Sequence, residues 1–277
     1  MAAHEPIQDD TERANNIKEN VRNRYGKLAF EHTQKKESGI AKSCCGVSTE
    51  TDIQYLQQLG YSKEEIESSP EGANLGLGCG NPQVFAQLKP SEIVLDLGSG
   101  AGFDCFLAAN GVGETGHVIG VDMTVEMVKK ARENAKKGNY TNVEFRLGEI
   151  ENLPVDDNTI DVIISNCVVN LSPNKPQVYK EAARVLRPGG RLAISDVVAT
   201  SEMPESIRND FELYSGCMAG AMSLFELEKA LKDAGFEDVK ININEKSRTF
   251  IKEWAPMSSA ENYVASAVIE ANKPKGT

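Results

Sequence analysis

Val94-Leu95-Asp96-Leu97-Gly98-Ser99-Gly100-Ala101-Gly102-Phe103 opens on an apolar run and closes on three alternating glycines. Ile93 to Leu97 is nearly continuous in apolar residues, as expected of a strand covered on both faces in a parallel sheet. Gly98, Gly100 and Gly102 let the chain turn tightly off that strand and lie close against a ligand. Phe103 to Ala109 reads as the helix that follows, giving a strand, glycine turn, helix unit. A second strand, His117-Val118-Ile119-Gly120-Val121-Asp122, ends on an acid roughly twenty residues beyond the loop. That is where an open α/β sheet places a carboxylate to accept hydrogen bonds from ribose hydroxyls.

A glycine loop alone also serves dinucleotide enzymes. Pyrophosphate is held at a helix N-terminus by a loop that usually reads Gly-x-Gly-x-x-Gly. Here the order is Asp96-x-Gly-x-Gly-x-Gly, which resembles motif I of the class I S-adenosylmethionine methyltransferases, where the acid and loop bind the amino-acid end of the cofactor. The resemblance continues in order along the chain. Gly148-Glu149-Ile150-Glu151-Asn152-Leu153-Pro154, after a third strand from Val143 to Leu147, is similar to the adenine-edge segment, where an acidic side chain meets the exocyclic amine. Asp161-Val162-Ile163-Ile164-Ser165-Asn166 resembles the fourth strand, ending beside the sulfonium. Leu186-Arg187-Pro188-Gly189-Gly190-Arg191-Leu192 resembles the turn into strand five.

What this resemblance implies is a Rossmann-like α/β fold with helices on both faces of the sheet. It also implies S-adenosylmethionine held by Tyr25, Asp96, Gly98, Ser99, Gly100, Asp122, Met123, Glu149, Ile150 and Asn166. The expected organisation is an N-terminal helical cap with a mobile cysteine loop (1–70), a cofactor-binding domain (71–200), and a smaller C-terminal α+β region (201–277). The last would contribute a substrate cysteine and closing strands.

The 277 residues suffice for one doubly wound domain of about 150 residues plus a smaller part. Formal charge is −11, from 41 acids against 30 bases, with no basic run. That disfavours a surface that tracks phosphates, so no nucleic-acid partner is expected. Met1-Ala2-Ala3-His4-Glu5-Pro6 lacks the form of a signal peptide, and no apolar stretch reaches spanning length. The expectation is a cytoplasmic protein with no membrane partner and reduced cysteines.

From Asp10 to about Phe30, Ile17, Val21, Tyr25 and Leu28 recur at helical spacing and predict an amphipathic helix over the cofactor domain. Tyr25-Gly26 resembles the element with which related methyltransferases cover the cofactor. His32 to Glu50 is polar and broken and holds Cys44-Cys45. Ser62 to Glu65 and Ser223 to Glu226 read as capping boxes. Gly72 to Pro82, with four glycines and a proline, predicts a loop around Cys79. Thr124 is expected to cap the helix after strand two and Gly138 to end it, and Pro173 to Leu186 is helical. Strand five runs from Arg191 to Val197, Pro204 to Ser215 is helical, and Val239 to Asn244 and Tyr263 to Ala271 are closing strands.

The six cysteines are Cys44, Cys45, Cys79, Cys105, Cys167 and Cys217. Cys105 lies in the apolar start of a helix and is expected in the core. Cys167 follows Asn166 at the carboxyl end of strand four, where open sheets bind ligands. Cys79 and Cys217 sit in breaks rich in small residues, and Cys44-Cys45 in a polar loop, poor places to bury a thiol for packing alone. Zinc normally draws on Cys-x-x-Cys or Cys/His knuckles, and none occurs here. A zinc site of dispersed thiolates stays open, but a soft, thiol-seeking substrate fits better.

Taken with the motifs, the cysteines closely resemble those of the arsenite S-adenosylmethionine methyltransferase family. The residues concerned are Cys44-Cys45, Gly78-Cys79-Gly80-Asn81-Pro82, Asp96 to Phe103, Val121-Asp122-Met123-Thr124, Ser165-Asn166-Cys167-Val168-Val169-Asn170-Leu171-Ser172, and Cys217 with Gly220-Ala221. The resemblance implies As(III) bound by Cys79, Cys167 and Cys217, with the Cys44-Cys45 position taking part in binding or redox turnover. It further implies arsenite or its thiol conjugates as substrate, and a thiol reductant of thioredoxin or glutathione type as partner. Two other readings stay open: a methyltransferase of a small organic acceptor such as a quinone precursor, and a non-catalytic metalloid- or zinc-binding protein.

Overall fold

In a computed structural model that describes residues 7–38 and 49–276, helix α1 (Ile7–Ser38) precedes α2 (Thr49–Gln58), α3 (Lys63–Ser68) and the short α4 (Gln83–Ala86). The alternating part follows: β1 (Ile93–Leu97), α5 (Phe103–Val112), β2 (His117–Asp122), α6 (Val125–Lys137), β3 (Val143–Leu147), β4 (Ile160–Asn166), α7 (Lys175–Val185) and β5 (Leu186–Ala199). The chain ends with α8 (Glu205–Arg208), α9 (Phe211–Ser215), α10 (Leu224–Asp233), β6 (Glu237–Asn244), α11 (Ser247–Trp254) and β7 (Val264–Asn272). Cys44 and Cys45 lie outside the described residues. Among the described residues no helix is long and apolar enough to cross a membrane.

The strands form one seven-stranded sheet in the order β3-β2-β1-β4-β5-β7-β6. β1 to β5 pair in parallel, and β7 runs antiparallel to both β5 and β6. Side chains alternate across each strand. Val94, Val118 and Val162 therefore bury on one face with Phe106 of α5 and Val128 and Ala131 of α6. Leu95, Leu97 and Ile163 bury on the other with Val178 and Ala182 of α7 and Leu231 of α10. The fold is the mixed α/β sheet flanked by helices that the glycine-loop motif predicts.

From β1 the chain steps outward to β2 and β3, then returns to β4 on the other side of β1. The crevice where that order reverses lies beyond the carboxyl ends of β1 and β4, the position at which open α/β sheets bind ligands. A third buried cluster lies over these ends and includes Ile17 and Val21 of α1.

Several boundaries differ from expectation. α1 extends beyond the predicted span at both ends. Pro204 to Ser215 is two short helices, because the Asp210 carboxylate accepts from the amides of Glu212 and Leu213 and starts α9 anew. Strand five starts earlier, at Leu186, with an irregularity where Arg187 to Gly190 pass Ile160. Thr124 stands at the N-cap of α6 but its side chain caps nothing; the Asp122 carboxylate instead accepts from the Thr124 amide at 2.8 Å. Both predicted capping boxes are formed.

Candidate active site

Three loops bring Cys79, Cys167 and Cys217 into one buried cluster. Their relative exposures are 1%, 9% and 2%, low enough to exclude bulk water from the sulfurs. Cys167 is the first residue past β4, and its amide donates to Ser195 of β5 at 2.7 Å, which continues the parallel ladder by one step. Cys217 lies just beyond α9. Its thiol donates to the carbonyl oxygen of Cys167 at 2.8 Å. Cys79 Sγ lies 3.7 Å from Ser195 Oγ. Cys167 and Cys217 both have left-handed backbones, φ 61° and 63°, a conformation that costs a non-glycine residue about 1–2 kcal/mol. The neighbouring thiols of Cys217 and Cys79, together with burial, push the Cys167 thiol well above its ordinary pKa. For Cys217 the Cys167 contact acts in the opposite sense, but burial and the charges of Asp196 and Cys79 leave it raised. Cys105, on α5, is buried elsewhere, against the sheet, with its thiol 3.2 Å from Asp96 Oδ2.

A carboxylate shares the thiol cluster. Ligand atoms of Cys79, Cys167 and Asp196 all lie within 4.8 Å of one another. Asp196, 2% exposed, accepts from Asn170 Nδ2 at 2.8 Å and from the Val197 amide at 2.8 Å. Burial raises its pKa to about 6. Lys175, itself buried, donates to the Ser172 carbonyl at 2.8 Å, and burial lowers its pKa to about 8.

Asn166 fastens the Cys79 loop to β4. Its Oδ1 accepts from the Cys79 amide at 2.9 Å, while its Nδ2 donates to the Gly80 carbonyl at 2.7 Å and to the Tyr61 hydroxyl at 2.9 Å. Gly78 is required here: its φ is +123°, and a Cβ would sit 2.8 Å from Asn166 Nδ2. The Tyr61 hydroxyl in turn donates to Asp104 at 2.7 Å. Asp96 and Asp104 are both buried. Desolvation raises both pKa values, and the Asp104 charge adds to the effect on Asp96.

The glycine turn is not shaped as a phosphate nest. The amides of Gly98 and Ser99 go to the Val121 carbonyl, that of Gly100 to Asp122 Oδ2 at 2.9 Å, and that of Gly102 to the Ser99 carbonyl. Two features of the turn remain free for a ligand. Ser99 Oγ is, among the described residues, the buried side-chain polar atom without a hydrogen-bond partner. A Cβ on Gly100, φ +52°, would meet open space. The turn's own amides are thus largely taken up within the protein, which leaves too few free donors for a pyrophosphate.

Helix α1 bridges the two halves of the crevice. Lys18 pairs with Glu149 at 2.6 Å, and Arg22 pairs with the same carboxylate. The Lys18 contact, with Arg22, holds Glu149 below the ordinary carboxylate range. Two turns on, the Tyr25 hydroxyl donates to the Ser215 carbonyl at 3.2 Å, next to Cys217, and burial with the nearby Cys217 and Cys167 raises its pKa. Gly26 lets α1 approach α6, since a Cβ there would lie 3.2 Å from Glu126. Met123 packs on the cysteine cluster, whereas Ile150 belongs to the core under the sheet. Of the residues singled out from sequence, Asp96, Gly98, Ser99, Gly100, Asp122, Asn166 and the three cysteines line the carboxyl ends of β1, β2 and β4. Sequence reasoning missed Asp196, Lys175, Tyr61 and Asp104. The available signal for Asp196 was Ser195-Asp196 inside the otherwise apolar run of β5.

Comparison with known proteins agrees with this geometry. Residues 88–241 match the family described as Methyltransferase domain. The chain is 51% identical to the arsenite methyltransferase of Halobacterium salinarum, over 88% of its own length and 66% of the relative's. It is 33% identical to the arsenite methyltransferase of Mus musculus, over 80% and 58%. The chain thus spans about two thirds or less of the length of these curated relatives. Among solved structures it resembles CrArsM, an arsenic(III) S-adenosylmethionine methyltransferase from Chlamydomonas reinhardtii, with a TM-score of 0.61 and 32% identity, covering 80% of this chain and 74% of that one. On the matched domain and on that coverage, the chain belongs to the arsenic(III) S-adenosylmethionine methyltransferase family.

Proposed function

We propose that the protein methylates trivalent arsenic with S-adenosylmethionine as methyl donor. The observation that carries this reading is the meeting of Cys79, Cys167 and Cys217 in one buried cluster at the sheet's switch point. The substrate is arsenite or its thiol conjugate. Each thiol gives its proton to a departing hydroxide, as water, or to a departing thiolate. Raised thiol pKa values are therefore no obstacle, because a neutral thiol is the reactant consumed.

Three thiolates around As(III) form a pyramid that leaves an arsenic lone pair, which serves as nucleophile. When bound, S-adenosylmethionine supplies an electrophilic methyl on a sulfonium. Asp96, Ser99 and the open turn at Gly100 would hold its amino-acid end, and Asp122 and Met123 its ribose side. Glu149 and Ile150 would lie at the adenine edge, Asn166 beside the reacting centre, and Tyr25 over it. Fixing arsenic in line with the methyl makes the displacement local, an effect on the order of 7 to 11 kcal/mol. No general base is needed, since arsenic carries no proton. Methylation raises arsenic to a formally pentavalent state. Closure of a disulfide between cysteine ligands returns two electrons, and a reductant of thioredoxin or glutathione type, with the Cys44-Cys45 position taking part, reopens it.

The test is incubation with arsenite, S-adenosylmethionine and a thiol reductant, followed by arsenic speciation. Methylated arsenicals should form, and Cys167→Ser and Cys217→Ser should each abolish them. Unchanged arsenite, with a small organic acceptor methylated instead, would refute the reading.

A further inference from the structure

Methyl transfer to arsenic moves a charge as well as a carbon. The sulfur–carbon bond breaks with its electron pair going to sulfur, and the arsenic lone pair forms the new arsenic–carbon bond. The positive charge therefore passes from the sulfonium to arsenic, and no proton moves. The receiving site is buried, with the thiolate residues 9% exposed or less. In such surroundings a fixed countercharge is worth far more than in water.

One carboxylate answers that need. The reacting atoms of Asp196, Cys79 and Cys167 fall within 4.8 Å of one another. Asn170 Nδ2 and the Val197 amide, both 2.8 Å from Asp196 Oδ1, set its orientation. The Asn170 amide reaches Oδ2 at 3.3 Å, and the Val169 amide also donates to this carboxylate. A buried carboxylate is costly unless it is hydrogen-bonded and paired, and here the amides of Val169, Asn170 and Val197 and the charge of Lys175 favour the ionised form of Asp196, the form a countercharge requires. Packing alone would favour an apolar residue here, as at the neighbouring Ile194, Val197 and Val198, which are all 1% exposed or less.

We infer that Asp196 is the countercharge of the methyl-transfer step, stabilising the cationic methylated arsenic as it forms between the thiolates. This rests on the reading of the cysteine cluster as the arsenic site. Asp196 acts on the rate of transfer and not on capture of arsenite, which gains no positive charge on binding three thiolates. The same carboxylate biases the site toward acceptors that become cationic on methylation.

The experiment is single-turnover methyl transfer on the full chain preloaded with arsenite, comparing the unaltered protein, Asp196→Asn and Asp196→Glu, with arsenite affinity and melting temperature measured on each. Asp196→Asn keeps the Oδ1 acceptor for Asn170 Nδ2 and the Val197 amide and gives up the longer contact of the Asn170 amide with Oδ2. It should transfer methyl about 30- to 100-fold more slowly while binding arsenite within threefold of the unaltered protein, and Asp196→Glu should regain at least a third of the rate. Equal rates in the unaltered protein and Asp196→Asn would overturn the assignment. So would arsenite affinity lost together with rate, or Asp196→Glu as slow as Asp196→Asn at an unchanged melting temperature. If the unaltered protein forms no methylated arsenic at all, the arsenic reading itself fails, a result separate from either outcome for Asp196.

Discussion

The thiol of Cys217 reaches the carbonyl oxygen of Cys167 at 2.8 Å, and both residues hold left-handed backbones, at φ 63° and 61°. Two loops separated by fifty residues of sequence are thus joined where each is least relaxed. Residues other than glycine persist in this region only where the surroundings over-determine them, and such positions cluster at functional sites. The arrangement stores strain in the two turns that present sulfur to the crevice.

That strain is measurable. Cys217→Gly and Cys217→Ala both remove the thiol, but only glycine relieves the backbone. The glycine variant should be more stable than the alanine variant by about 1 kcal/mol in urea unfolding, the reverse of the order expected in a helix.

Gly78→Ala should uncouple Cys79 from the site. The new Cβ meets Asn166 Nδ2 at 2.8 Å on a backbone of φ +123°. Asn166 must then release the Cys79 amide or the Gly80 carbonyl. A loss of about 1–3 kcal/mol of stability is expected. Arsenite capture should fall at least tenfold while cofactor binding falls less, both readable by calorimetry.

Asp96 should be destabilising without cofactor. Its folded pKa lies well above the ordinary 3.8 because of burial and the Asp104 charge. The sign for a raised acid is fixed: stability is full below the unfolded pKa and is lost as pH rises through the folded one. Asp96→Asn should therefore flatten the decline in melting temperature above pH 4. It should raise the melting temperature at pH 7 by about 2–4 °C, roughly 1 kcal/mol, and weaken S-adenosylmethionine binding at least tenfold.

Lys18→Ala with Arg22→Ala should free α1 from the Glu149 loop. The pair is partly exposed, so its effect is modest and screened by salt. The double variant should bind S-adenosylmethionine three- to tenfold more weakly at low ionic strength, with the difference shrinking in high salt. Limited proteolysis should cut α1 faster.

The succession of strands along the chain and the placing of Asp96, Asp122, Asn166 and Cys167 near strand ends were legible because each sits at the end of a short apolar run, a local signal, whereas the order of strands within the sheet was not. Capping boxes were legible for the same reason. The break at Asn209 and Asp210 was missed because helical spacing does not reveal which polar side chain turns back on its own backbone. Asp196 and Lys175 were missed because their meaning lies in what faces them across the crevice, a relation that only the folded sheet creates. Glu149 was legible as an acid just past β3, but its pairing with Lys18 and Arg22 joins residues more than a hundred positions apart.

The central claim is that three sulfurs converge on one arsenic atom. X-ray absorption at the arsenic edge, on the full chain loaded with one equivalent of arsenite under reducing conditions, tests it most directly. Three sulfur neighbours and no oxygen are predicted, with one sulfur lost in each of Cys79→Ser, Cys167→Ser and Cys217→Ser. Arsenic that keeps its oxygens, or a sulfur count unmoved by those substitutions, would contradict the account.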